Sequence, residues 1–364
     1  MAELIIDTEK IIGNIEKLND FLGGRGIEWS LVVKVLSGHK PTLEKILSHP
    51  SIKGVHSICD TRLSNLHTIK DISPDIVTMY IKPPAHDSVT TVVKNADISF
   101  NSAYETIEKL SEEAGKLGKT HRVLIMIEMG ELREGILREN LVEFYKKTFE
   151  LPNIHVNGIG TNLGCMYGVE PNYDKLIQLS LYKELLECKF GHEIALISGC
   201  SSITLPLVSR GKIPRLTNHF RIGEAAFFGT SPLNNKKFRN LSTTAFEYRA
   251  NIIELERKET RPEGVISEAS VGHTAALGGD SDESYKAILD FGLLDVDVDE
   301  IEPINPNVKF IGTSSDMTVY EVGRGSGRAA TRKKYKVGGQ IRFRPSYMAV
   351  ARLINTKYVQ KKVI

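Results

Sequence analysis

Apolar positions along the chain fall into two textures that change near residue 232. Up to about residue 229, short β-branched runs alternate with longer segments whose apolar residues recur at helical spacing, bounded by Gly and Pro breakers. The strand-length runs are residues 31–36, 54–58, 76–81, 98–101, 123–129, 156–163, 194–198 and 220–228. Helical spacing marks residues 41–49, 86–95, 103–117, 139–149 and 174–188. Beyond Pro232 the runs follow one another without helices between them, at residues 243–255, 285–291, 309–311, 318–322, 340–343 and 349–354. The pattern predicts an α/β fold, a (β/α)8 TIM-like barrel over residues 1–235 followed by a C-terminal all-β domain over residues 236–364. A doubly wound sheet is the competing arrangement for the first part. In a barrel, active-site groups stand at the C-terminal ends of the strands.

One polar residue interrupts the first apolar run. In Trp29-Ser-Leu-Val-Val-Lys-Val-Leu36, closed by Ser37-Gly38-His39-Lys40-Pro41, period-two alternation puts Lys34 on one strand face with Val32 and Leu36. A buried ammonium is costly unless paired or neutral, and a neutral amine is what imine formation with a carbonyl cofactor requires. The competing reading is a lysine that protects a sheet edge.

Composition narrows the field. The chain has 364 residues, 41% hydrophobic and 25% charged, with a net charge of +2, so no global charge calls for nucleic acid. Its densest basic run, Arg332-Lys333-Lys334, reads as a solvated loop. The N-terminal residues lack a basic and then apolar leader pattern and no apolar run has membrane-spanning length, so a cytoplasmic protein is expected. Cys59, Cys165, Cys188 and Cys200 have neither paired nor zinc-like spacing, so reduced thiols and no metal are expected.

Polar residues gather where the predicted strands end. Besides Lys34 there are Arg133 in Glu128-Met-Gly-Glu-Leu-Arg-Glu-Gly135, Asn162 in Gly160-Thr-Asn-Leu-Gly-Cys165, Ser201 and Ser202 in Ser198-Gly-Cys-Ser-Ser202, and Arg221 in Phe220-Arg-Ile-Gly-Glu224. Singly, each reads equally as a cap, a rim ion pair or a turn. Together they describe a cavity with one lysine, two arginines, small hydroxyls and backbone amides, suited to a phosphorylated aromatic aldehyde.

On these motifs the chain resembles the fold-type III pyridoxal-phosphate enzymes of the alanine racemase family, and within it the ornithine racemase-like branch. The resemblance implies pyridoxal 5'-phosphate held by Lys34 as an imine. It also implies Arg133 near the phenolic oxygen, Asn162 against the ring, Arg221 at the pyridine nitrogen, and Ser201, Ser202 and the amides of Gly223 and Glu224 around the phosphate. Tyr358, or Asn355 in a shifted register, would close that site. A homodimer with shared active sites is implied, Thr313 to Asp316 reaching the partner's cavity. An arginine at the ring nitrogen opposes protonation there and so favours fast removal and return of the α-proton.

The chain departs from the family in one place. Leu293 stands where alanine racemases carry the tyrosine that serves as second base, and leucine moves no proton. His273, Ser314, Ser315 beside Asp316, and Tyr285 are the candidates, His273 first because imidazole titrates near neutrality. Asp295, Asp297 and Asp299 alternate and would share a strand face, able to meet the distal ammonium of ornithine or lysine or simply to face water. A racemase of a basic amino acid is the expected activity, with alanine or serine racemisation, or a fold-type III lyase, as alternatives. Decarboxylases of this group use a β-domain cysteine, and no cysteine follows Cys200. The metal-dependent D-threonine aldolases use a His and Cys pair there, and His273 is the one histidine beyond His219. A non-catalytic cofactor carrier would lack the second domain, and a cofactor-free barrel enzyme would be colourless.

Overall fold

The alternating texture of the first part becomes a ring of parallel strands. The computed structural model describes residues 1–267, 272–275, 283–324, 331 and 333–364. The first strand, β1 (Glu3–Ile6), stands apart from this ring, and α1 (Thr8–Gly23) leads into it. There follow β2 (Glu28–Val32), α2 (Lys40–Leu47), β3 (Ser57–Asp60), α3 (Leu63–Ile72), β4 (Thr78–Tyr80), α4 (Val89–Asn95), β5 (Ile98–Asn101) and α5 (Tyr104–Lys116). Then come β6 (His121–Met126), α6 (Leu141–Phe149), β7 (Ile154–Gly160), α7 (Tyr173–Phe190), β8 (Leu196–Ser198), β9 (Cys200–Ser201), α8 (Leu205–Ser209), β10 (His219–Ile222) and α9 (Glu224–Phe228). Hydrogen-bonded order runs β8-β7-β6-β5-β4-β3-β2-β10-β9. Since only Gly199 separates β8 from β9, the two ends of this path are one interrupted strand, and the ring closes with eight members. Val32, Cys59, Met79, Ile98, Phe100, Leu124 and Met126 form one buried cluster contributed by five strands, the continuous apolar character expected of strands covered on both faces.

The second unit is an antiparallel sheet with one parallel edge. After a short hairpin, β11 (Thr230–Ser231) with β12 (Lys236–Lys237), the chain forms β13 (Phe246–Glu259), β14 (His273–Thr274), β15 (Glu283–Leu289), β16 (Ile301–Pro303), β17 (Lys309–Thr313), β18 (Thr318–Arg324), β19 (Gln340–Pro345), α10 (Tyr347–Leu353) and β20 (Gln360–Val363). The sheet order is β14-β17-β18-β15-β13-β1-β20, with β19 joining β13 to β16. Phe246, Tyr248, Ala250 and Ile252 of β13 point inward in strict alternation, and Tyr248 packs edge-on against Phe291 with ring centroids 5.3 Å apart.

Four expectations are corrected. The division falls between Thr243 and Thr244, and Met1–Thr8 belong with the second unit, because β1 pairs antiparallel with β13 and parallel with β20. Residues 220–228 are not one strand, since the chain leaves the ladder at Gly223 and turns into α9, which Gly229 ends in the left-handed region at φ 66°. Residues 349–353 lie in α10 and Ile354 ends it, the Ser346 hydroxyl capping its start by accepting from Ala349 N at 3.1 Å; the buried positions 349, 350 and 353 have helical spacing. Asp295, Asp297 and Asp299 share no strand face, because Asp297 instead caps a 3-10 turn, accepting from Asp299 N at 3.2 Å. Of the basic run at 332–334, Arg332 lies outside the described residues. Among the described residues no helix is long and apolar enough to cross a membrane.

Candidate active site

Lys34 is where the structure most alters the sequence reading. β2 ends at Val32, its last ladder bond passing from Val33 N to Cys59 O at 2.9 Å, and Lys34–Leu36 form a 3-10 turn. Ser37 and Gly38 adopt left-handed φ values of 47° and 73° and reverse the chain. Lys34 therefore does not alternate with Val32 and Leu36; it is exposed at the C-terminal end of its strand, while Val35 and Leu36 are buried. Asp60 ends the neighbouring strand β3, fully buried. Burial pushes its carboxyl up, against the pull of the Arg62 amide, the Asn65 side chain and the nearby Lys34 charge.

Arg221 lies on β10, next to β2 and opposite Ser30 in register. It is 7% exposed, and its hydrogen-bond partners come from the next two strands round the ring, so the side chain runs along the inside of the barrel mouth. One guanidinium nitrogen donates to Ser198 Oγ at 2.7 Å and to Ser198 O; the other donates to Thr161 O at 2.8 Å and Asn162 Oδ1 at 2.9 Å. The guanidinium carbon lies 5.2 Å from the Phe100 ring centroid.

Behind Arg221 runs a chain of hydrogen bonds. A guanidinium only donates, so Ser198 Oγ accepts from it, and the same oxygen bonds His219 Nδ1 at 2.7 Å. His219 Nε2 bonds Ser30 Oγ at 2.8 Å, and Ser30 Oγ bonds Ser57 Oγ at 2.7 Å. Burial, with the charges of His56 and Arg221, holds the His219 pKa well below its usual value, so the ring stays neutral, one nitrogen donating and the other accepting. Burial also pushes the thiols of Cys59 and Cys200 up to about 12, which leaves both inert.

The loop after β6 holds three glutamates spaced three apart, and each has a different task. Ile136 N returns to Met126 O at 2.8 Å, so residues 128–135 form a closed excursion. Glu128 binds inside it, accepting from Gly130 N and from Arg133 N at 3.0 Å. Glu131, 1% exposed, accepts the backbone amides of Gly164, Cys165, Met166, Tyr167 and Val169 at 2.7–3.2 Å and so gathers the loop after β7 around one carboxylate. Burial alone would raise its pKa, but those amides outweigh burial and hold it below the usual range. Glu134 accepts from Arg133 through Nε and, at 2.8 Å, Nη2, and also from Asn162 Nδ2. Arg133 further reaches Cys165 Sγ at 2.6 Å.

The remaining barrel candidates cluster at the turn into α9. Ser201 pairs in register with Arg221 and caps the following turn together with Thr204. Ser202 is buried, and its Oγ accepts from Ala225 N at 3.1 Å. Gly223 and Glu224 head α9, and burial raises the Glu224 carboxyl, tempered by Thr230 Oγ1 at 3.2 Å. Lys34, Arg133, Asn162, Ser201, Ser202, Arg221, Gly223 and Glu224 thus all sit at or just beyond C-terminal strand ends of one ring.

A separate cluster forms in the second unit. His273 pairs with Thr313 across β14 and β17, so the strand register places it opposite the residue that precedes Ser314. Leu293 N and Leu294 N donate to Ser314 O and Ser315 O, each at 3.0 Å. This approach requires Gly292, where a Cβ would lie 2.3 Å from Ser315 O. Ser315 Oγ donates to the Asp316 carboxylate at 2.7 Å. Asp316 and Leu293 also line a groove with Asp290, Asp295, Asn355 and Tyr358, and both Asn355 and Tyr358 are exposed.

Sequence reading passed over Glu131, Glu134 and His219. The glutamates carried a signal in their spacing of three without a helix. His219, two residues before Arg221 on the same strand, shares its inward face, which alternation could have revealed.

Three comparisons bear on this geometry. Residues 6–232 match the family model described as alanine racemase, N-terminal domain. An ornithine racemase of Acetoanaerobium sticklandii is 30% identical over 363 residues, covering 100% of this chain and 99% of the relative. A lysine racemase of Thermotoga maritima is 28% identical over 358 residues, covering 98% and 97%. Among solved structures, an alanine racemase from Corynebacterium glutamicum superposes with a TM-score of 0.72 at 18% identity, covering 100% of this chain and 99% of the other.

Proposed function

We propose, from the premise that the chain belongs to the alanine racemase family, that it interconverts the enantiomers of a basic amino acid, ornithine or lysine. Similarity over the whole length to an ornithine racemase and a lysine racemase supports the substrate class. The observation that carries the reading is structural: an exposed primary amine, Lys34, in the turn that follows β2, and a buried guanidinium, Arg221, hydrogen-bonded through both terminal nitrogens on the adjacent strand β10, share one barrel mouth.

The donor set fits pyridoxal 5'-phosphate. Lys34 offers an amine to an aldehyde, Arg221 a cation to a ring nitrogen, and Ser202 with the head of α9 a hydroxyl and amides to a phosphate. When bound, that cofactor acidifies the substrate's α-hydrogen. Lys34 moves the proton on one face of the substrate. Arg221, kept cationic and immobile by Ser198 and Asn162, opposes a proton on the ring nitrogen. Ser201, Ser202 and the amides of Gly223 and Glu224 bind the phosphate, Arg133 orients the phenolic side, Asn162 lies against the ring, and Tyr358 or Asn355 closes the site. On the second face we assign the proton to His273, with Ser315 and Asp316 binding the substrate's polar groups. The working form is read as a cytoplasmic homodimer.

Two measurements test the proposal. Borohydride reduction of the yellow protein should fix the cofactor to the peptide that contains Lys34, and labelling at another lysine would refute the assignment. Polarimetry with single L-amino acids should show loss of rotation for ornithine or lysine ahead of alanine and serine; a preference for alanine or serine would refute the substrate class.

A further inference from the structure

We propose that Glu134 is the positioning residue that couples the two arginines of the site, so that Arg133 and Arg221 are held as one unit around the cofactor. The inference rests on the functional reading above. Two guanidinium groups facing one cavity repel each other, and bringing both to a single small ligand requires an anion between them. Glu134 occupies that place. Its carboxylate takes two donors from Arg133, and the same oxygen that accepts from Arg133 Nη2 accepts from Asn162 Nδ2. Asn162 Oδ1 in turn accepts from Arg221 at 2.9 Å.

The orientation of the Asn162 amide follows from its neighbours. One side meets an acceptor-only carboxylate and the other a donor-only guanidinium, so only one flip satisfies both. The neighbouring acids cannot substitute, because Glu128 is committed to its own loop and Glu131 to the amides of residues 164–169. The side chain of Glu134 is 10% exposed, which strengthens its interactions. Its position is set by Gly135, whose φ of 155° and 2.3 Å clearance to Glu128 N admit no side chain. Loss of the carboxylate would free Arg133 and leave the Asn162 amide group without its acceptor, so that Arg221 loses a fixed partner.

The test compares full-length wild-type, Glu134→Gln, Glu134→Asp, Asn162→Ala and the Glu134→Gln/Asn162→Ala double variant, each loaded with pyridoxal phosphate and checked for folding by circular dichroism. Glu134→Gln should lower kcat about 30-fold while KM changes less than about threefold. The pH at which the cofactor's visible absorption titrates should fall by about one unit, because a negative charge has left the neighbourhood of the ring. Glu134→Asp should keep that midpoint and recover part of kcat. If Glu134 acts through Asn162, the double variant should be no worse than about the weaker single variant. An unchanged titration midpoint in Glu134→Gln, or losses that multiply in the double variant, would overturn the inference and leave the function intact. A wild-type protein that takes up no cofactor would remove both.

Discussion

The barrel and the second unit hold their candidate groups in opposite ways. In the barrel, Arg221 is buried and each of its partners is held by another, from Asn162 and Glu134 on one side to Ser198, His219 and Ser30 on the other. In the second unit, His273 and Asp316 are exposed, and their grouping depends on strand register and one close backbone contact. A buried polar network fixes geometry at the cost of requiring every member. An exposed cluster tolerates change but leaves each group to find its final partners on binding. Under the proposed function, the buried network serves the cofactor and the exposed cluster serves the second face of the substrate.

That contrast can be broken at either end. Lys34→Ala should abolish racemisation, a loss of at least about 10⁴-fold, with the fold intact because the residue is exposed; residual turnover above a hundredth of wild type would refute its role. His273→Ala should slow the reaction by about 10²- to 10⁴-fold. In deuterated water its exchange should survive from one enantiomer only, and equal exchange from both would clear His273 and point to Ser314 or Ser315. Stability effects should run the other way, large in the barrel and negligible at His273.

Glu131→Gln should destabilise the barrel by about 2–3 kcal/mol, since an amide cannot accept what the carboxylate accepts. The pH dependence has a definite sign. The folded pKa of Glu131 is depressed, so its contribution is present above the ordinary value of 4.5 and is lost as pH falls through the folded value. Melting curves of wild type and Glu131→Gln should therefore differ at pH 7 and draw together as the pH falls through the folded value; a gap that stays constant throughout the acid limb would exclude the charge as its source. Smaller still, Ser198→Ala should cost about 1–2 kcal/mol by leaving His219 Nδ1 without its hydroxyl partner.

How far the sequence could be read follows the same divide. Barrel strands were legible because apolar residues run together or alternate over strand length between breakers, as in Ile-Ser-Phe-Asn at Ile98–Asn101, where expectation and structure coincide. The run through Lys34 misled because a strand and a strand followed by a 3-10 turn look alike until the left-handed Ser37 and Gly38 are known. Residues 349–354 misled because six apolar-rich residues fit either period. Glu131 and Glu134 were passed over because acids in a glycine-bounded loop look solvated, and only the folded chain shows which amides they meet. His273 and Thr313 were both singled out, yet that they pair depends on a register between β14 and β17 that no local pattern encodes.

The pairing of β1 has a consequence for how the protein is made. Glu3–Ile6 leaves the ribosome well before its partners, Phe246–Arg249 and, on the other edge, Gln360–Val363. At about 5–20 residues per second, synthesis reaches the first partner only after on the order of ten seconds to a minute, and the second later still. The barrel strands from β2 to β10 emerge within that interval. Through it, the sequence Glu-Leu-Ile-Ile is tethered to a growing barrel as an apolar strand with both edges unpaired. A strand made early is thus satisfied late, and until then it stands open to chaperones and to other nascent chains.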